Sequence, residues 1–98
     1  MMKHIVILKF HKGSPEDKQQ ECIDAFLGLS QSIEEVIAFD QGSNVSTEGL
    51  SKGFTHSAVM TFSDSDARDR YLIHPEHIKF VAMLKPLLDD VLVFDYEY

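Results

Sequence analysis

With a single cysteine, Cys22, the chain has no internal disulfide. It opens on "MMKHIVILKF", which runs directly into an alternating pattern and carries no secretory cleavage site. Together these features lead us to expect an intracellular, cytoplasmic protein. Basic residues are scarce as well. Nine Lys and Arg against 16 Asp and Glu give a formal charge of −7, and the nine are scattered, so nothing is built to neutralise a row of phosphates. Nucleic acid and anionic membrane are therefore excluded as partners. No apolar run approaches the roughly 20 residues that a membrane-spanning helix needs. What remains is a chain of 98 residues, 44% apolar and 26% charged, which is enough for one soluble globular domain over residues 1–98 with one core.

The order of elements is legible from periodicity. In "KHIVILKF", His4, Val6, Leu8 and Phe10 alternate with Ile5, Ile7 and Lys9, as in a strand apolar on both faces. "SPEDKQQECIDAFLGLSQSI" reads as an amphipathic helix with Ser14 as N-cap and Pro15 in its first turn. Ile23, Phe26, Leu27, Ser30 and Ile33 form its apolar stripe, and Cys22 is a packed thiol on or beside it. "EVIAFDQG" and "FTHSAVMTF" read as strands joined by a polar connection with two turn glycines. "SDSD" offers N-caps for a short helix to about Leu72. Pro75 disfavours helix at His74, so the chain breaks and restarts as "PEHIKFVAMLK", with His74 as the new N-cap and His77 third in the helix. "VLVFDYEY" is a last strand, with Val91 and Val93 facing opposite to Leu92, Phe94 and Tyr96.

Strand, helix, two strands, helical region, strand is the split βαβ pattern of a ferredoxin-like α+β sandwich, in which helices cover one face of a four-stranded antiparallel sheet. The other face would then expose residues drawn from Ile5, Ile7, Val59, Leu92, Phe94 and Tyr96. That is more contiguous apolar surface than a monomer tolerates, and a homodimer packing sheet against sheet is its economical cover.

Alternation also sets His4 beside Val6 and Leu8, and His56 beside Ala58. Were both sets to face the helices, His4, His56, His74, His77 and Tyr71 would converge beneath "YLIHPEH". The positive helix end favours a neutral imidazole in His77, which suits a general base, and Tyr71 can donate its phenolic hydrogen to a carbonyl or to His77. Each histidine taken singly has a plainer reading as a core or rim residue. Two histidines three apart can ligate a metal, but Pro75 takes His74 out of the helix, so no transition-metal site is expected. A loosely held divalent cation near Asp95 stays open. Asp89, Asp90 and Asp95 have no evident acid–base partner in the sequence.

Four motifs in order, "KHIVILKF", "GFTH", "YLIHPEH" and "VFDY", resemble the stress-responsive dimeric α/β-barrel (Dabb) domain over nearly the whole chain. The resemblance implies a homodimer whose sheets close a barrel. Similarity to a plant polyketide cyclase of that family would make His77 the base that removes a proton between two carbonyls. Tyr71 would then be the donor to a carbonyl oxygen, with His4 and His56 lining the cavity. The reaction implied is an intramolecular aldol condensation of a linear β-polyketide, with no cofactor. Expected walls of the cavity are Val6, Leu8, Ile23, Phe26 and Ala58 from the sheet and first helix. From the later elements they are Ile78, Val81, Met83, Leu88, Val91 and Val93. The alternative is a non-catalytic dimer that binds a small apolar or aromatic ligand. An oxygenase is disfavoured, since the haem-degrading relatives share a tryptophan that this chain lacks.

Overall fold

A computed structural model describes all of residues 1–98. The elements are β1 (Met2–Phe10), α1 (Glu16–Ser32), β2 (Ala38–Ser43), β3 (His56–Phe62), α2 (Ser65–Leu72), α3 (Pro75–Leu84), a single 3-10 turn (Lys85–Leu87) and β4 (Leu88–Glu97). All strand pairs are antiparallel in the order β2-β3-β1-β4, so the two strands earliest and latest in the chain lie side by side. This is the ferredoxin-like sandwich, with the helices on one face of the sheet.

Local chemistry explains most of the boundaries. Asp64 caps α2, its carboxylate accepting from the Ala67 N–H at 2.8 Å, and His74 caps α3, its Nδ1 accepting from the Glu76 N–H at 3.1 Å. The proline break falls where Pro75 requires it. Gly49 and Gly53 take the left-handed backbone, φ 72° and 85°, in the β2–β3 connection. At α1 the cap is Pro15 and not Ser14. The Pro15 carbonyl receives the first helical N–H groups, while the Ser14 hydroxyl is drawn away to the His11 carbonyl and the Gln19 amide. β2 begins at Ala38, because Glu34 and Glu35 are used in the turn that follows Ile33, although the Ile37 N–H already donates to the Thr61 carbonyl of β3. β4 begins earlier than its apolar run, at Leu88.

The stripe of α1 is one step out of phase with the sequence reading. Cys22, Phe26, Leu29 and Ile33 are buried, at i, i+4, i+7 and i+11, whereas Leu27 stands exposed and Ser30 lies at the margin. Burial by Phe80, whose ring centroid is 4.4 Å from that of Phe26, fixes this phase. Leu29→Ala is accordingly expected to cost about 2–5 kcal/mol. Leu27→Ala should cost under about 1 kcal/mol. Urea denaturation of the two variants checks this, and equal midpoints would contradict the assigned face.

The opposite face of the sheet has no cover within the chain. Ile5 is paired across the strands with Val59 and Phe94, and Ile7 with Leu92. Leu92, Phe94 and Tyr96 are each about half exposed. No helix is long and apolar enough to cross a membrane.

Candidate functional site

Between the sheet and the α2–α3 break lies a cavity of about 380 Å³, within the range of small-molecule pockets. Its walls include Val6 from β1, Phe26 from α1, Val81 from α3, and Val91 and Val93 from β4. Its polar members are His4, Tyr71, His77, Asp95 and Lys85. The antiparallel register explains the arrangement. Val6 pairs with Val93 and His4 with Asp95, so one face of the β1–β4 ribbon carries two apolar residues and then two ionisable ones.

His77 sits in the first turn of α3, where Pro75 has set the helix start, and its Nδ1 lies 2.9 Å from the Leu72 carbonyl. A carbonyl only accepts, so Nδ1 carries the hydrogen and Nε2 keeps its lone pair. Burial lowers the His77 pKa from the ordinary value of 6.5; neighbouring His4 and His74 push the same way, and the Leu72 carbonyl opposes them. The imidazole is thus neutral at pH 7, as expected from the helix position, but desolvation is the main cause. Tyr71 is almost completely buried. Its ring is held against Phe62, His4 and His77, with centroids 5.1, 5.8 and 4.6 Å away. Burial raises its phenol pKa, so the hydroxyl stays protonated and can only donate or accept hydrogen bonds. Tyr71 does not hydrogen-bond His77, since the latter's Nδ1 is taken by Leu72 and the two rings meet at a tilt of 52°.

Asp95 has the partners that sequence reading did not find. Its Oδ1 is 2.7 Å from His4 Nδ1 and its Oδ2 is 2.7 Å from Arg68 Nη1, so both oxygens are occupied. No group of three or more His, Cys, Asp or Glu side chains is arranged to hold a metal ion. Continuing the alternation of Val91 and Val93 by two residues would have placed Asp95 on the cavity face.

His56 does not join this cluster. It pairs with Leu8 while His4 pairs with Met60, four residues further along β3, and at about 3.4 Å per residue that separates them by roughly 14 Å. His56 Nε2 donates to the Gln41 side-chain oxygen at 2.9 Å, and the Gln41 amide donates in turn to the Ile23 carbonyl. His74 is spent on its cap. Leu8 and Ala58 are sealed in the core beside the cavity, at 0% and 1% exposure. Ile23, whose carbonyl accepts from Gln41 of β2, is not on the cavity wall, and Ile78 points outward from α3, because the cavity side of that helix is the row of His77, Val81 and Leu84. Met83 falls in a separate groove between α1 and α3. Leu72, Phe80, Leu84 and Lys85 complete the wall without having been expected there.

Two imidazoles, His56 and His77, have pKa values lowered by burial, and His56 Nδ1 is sealed without a partner. Unfolded histidines take up protons as pH falls through about 6.5, while these two resist. Stability should therefore be complete above about pH 6.5 and fall below it by up to about 1.4 kcal/mol per pH unit for each histidine. Denaturant titrations between pH 7.5 and 5 check this, and His56→Gln should reduce the slope. A slope that is the same in wild type and variant would remove His56 from the account.

The stress responsive A/B barrel domain pattern matches residues 2–98. The stress-response A/B barrel domain-containing protein HS1 of Arabidopsis thaliana is 36% identical over 96 residues, 98% of this chain and 88% of that protein. Olivetolic acid cyclase of Cannabis sativa is 27% identical over 95 residues, 97% of this chain and 94% of the cyclase. Among solved structures, a dimeric ferredoxin-like protein of unknown function from Jannaschia superposes with a TM-score of 0.86 at 28% identity. The match covers 99% of this chain and 98% of that one.

Proposed function

The chain belongs to the stress responsive A/B barrel domain family, and from that premise we propose that it is a homodimeric, cofactor-independent cyclase or lyase acting on a small carbonyl compound. His77 Nε2 removes a proton from carbon flanked by two carbonyls, and the Tyr71 hydroxyl hydrogen-bonds the oxygen on which charge develops. The C–H electron pair then attacks a third carbonyl further along the same chain, and the proton held on His77 passes to the new alkoxide. The observation that carries this reading is one largely apolar cavity lined by both a neutral imidazole and an un-ionised phenol. Similarity to olivetolic acid cyclase supports the reaction class. The dimer forms through the open sheet face, a reading supported by its exposed apolar residues and by the dimeric structural neighbour.

The same apolar walls also favour a second reading, a non-catalytic dimer that holds a small apolar or aromatic ligand. A screen of β-polyketide and small phenolic compounds by thermal shift, followed by product analysis, separates the two. Cyclised product from a linear β-polyketide is the expected result. Stabilisation by phenols with no turnover of any β-dicarbonyl would leave only the carrier.

A further inference from the structure

Two imidazoles, not one, present a bare nitrogen to this cavity. His4 is buried, and its Nδ1 lies 2.7 Å from Asp95 Oδ1. Asp95 Oδ2 in turn lies 2.7 Å from Arg68, which also contacts Asp69 at 2.9 Å. A carboxylate paired with a guanidinium has no hydrogen to give, so His4 Nδ1 must donate and His4 Nε2 must hold the lone pair. Nε2 has no hydrogen-bond partner in the chain, yet it is not among the polar atoms sealed without one, and His4 lines the cavity. The ring is clamped edgewise against Phe62 and Tyr71, with centroids 6.1 and 5.8 Å away, which fixes its orientation. A carboxylate and an arginine behind a buried histidine are more than packing requires, since an apolar side chain would fill the same space without the cost of desolvating charge.

We infer that His4 is a second proton acceptor of the cavity, with Asp95 and, behind it, Arg68 as positioning residues that hold it in the Nδ1–H tautomer. The inference rests on the proposed carbonyl chemistry and adds a residue to it. The ligand class is a 1,3-dicarbonyl compound or 3-oxo ester. His4 Nε2 takes a proton from the carbon between the carbonyls, the electron pair spreads onto their oxygens as an enolate, and the imidazolium returns a solvent-exchanged proton to the same carbon. No oxidant, reductant or metal enters that balance.

The test joins a structural and a kinetic measurement. Nitrogen-15 NMR of histidine-labelled protein should show His4 protonated on Nδ1 in wild type. In Asp95→Asn it should shift toward the Nε2–H form, because an amide can donate to Nδ1. Proton-for-deuterium exchange of ethyl acetoacetate in D₂O is then followed above the buffer rate. In the His77→Ala background, where His4 is the remaining acceptor, Asp95→Asn should lower kcat by about 10²-fold or more with KM nearly unchanged, as a wrong tautomer does in a carboxylate–histidine pair. His77→Ala should retain a residual rate that His77→Ala/Asp95→Asn loses.

An Nε2–H tautomer of His4 in wild type overturns the inference even if Asp95→Asn does not fold. So does residual exchange in His77→Ala that the second substitution leaves untouched. Either result spares the role of His77. Wild-type exchange no faster than buffer overturns this inference together with the proposed reaction.

Discussion

Replacing His77 with alanine is expected to lower turnover of a β-dicarbonyl substrate by about 10²–10⁴-fold, the usual contribution of a positioned general base. The effect should fall on kcat more than on KM, because the lost interaction is with the proton in flight and the apolar walls that hold the ligand are untouched. Stability should change by only about 1 kcal/mol, the net worth of the single hydrogen bond from Nδ1 to the Leu72 carbonyl. His77 projects on the helix side of the sheet, so the sheet-to-sheet dimer should persist. The loss should also be unequal between substitutions. Tyr71→Phe keeps the ring packed against Phe62 and His4, removes only the hydroxyl, and should cost less than the base itself. Steady-state kinetics on refolded, sized protein check both, and unchanged turnover in His77→Ala would end its proposed role.

Much of this site was readable from composition and spacing, and the part that was not has identifiable causes. Pro75 announced the helix break, and with it the positions of His74 as cap and His77 in the first turn, because a proline acts through local sterics that no tertiary contact can override. Strand alternation gave the faces of β1 and β4 correctly, down to Val91 and Val93 opposite Leu92 and Phe94. Register is another matter. Alternation says that His4 and His56 face the same side, but only the pairing of β1 with β3 says that they stand four residues apart. Nothing in a single sequence fixes that offset. The phase of α1 failed for a similar reason. Both Leu27 and Leu29 are apolar, and the choice between them is made by α3 and Phe80. The partners of Asp95 could not be read from the sequence because one of them, His4, lies at the opposite end of the chain and adjoins it only after β4 pairs with β1.

Phe94→Glu is expected to convert the protein from a dimer to a monomer. In the isolated chain Phe94 is 58% exposed, on the edge strand β4 and on the sheet face that the helices do not cover, so the glutamate meets water and the fold should change by only about 0.5 kcal/mol. In a symmetric dimer closed through that face the substitution is made twice. Each carboxylate loses its hydration among Ile5, Leu92 and Tyr96, while Lys3, the cation beside Tyr96 on that face, is already bonded to the Thr61 hydroxyl at 2.8 Å; a charge left uncompensated there costs about 3–5 kcal/mol. The sum is roughly 6–10 kcal/mol, or at least about 10⁴-fold in the dimer dissociation constant. An interface of standard size, about 1,200–2,000 Å², rarely has that much to spare at micromolar concentration. Sedimentation equilibrium should find wild type at twice 11.2 kDa and the variant at 11.2 kDa, with unchanged far-ultraviolet circular dichroism. The cavity opens on the other side of the sheet and is walled by residues of one chain, so the monomer should still bind ligand. A wild-type protein that sediments as a monomer at these concentrations would refute the sheet-to-sheet dimer. A Phe94→Glu protein that stays dimeric would move the interface to another surface.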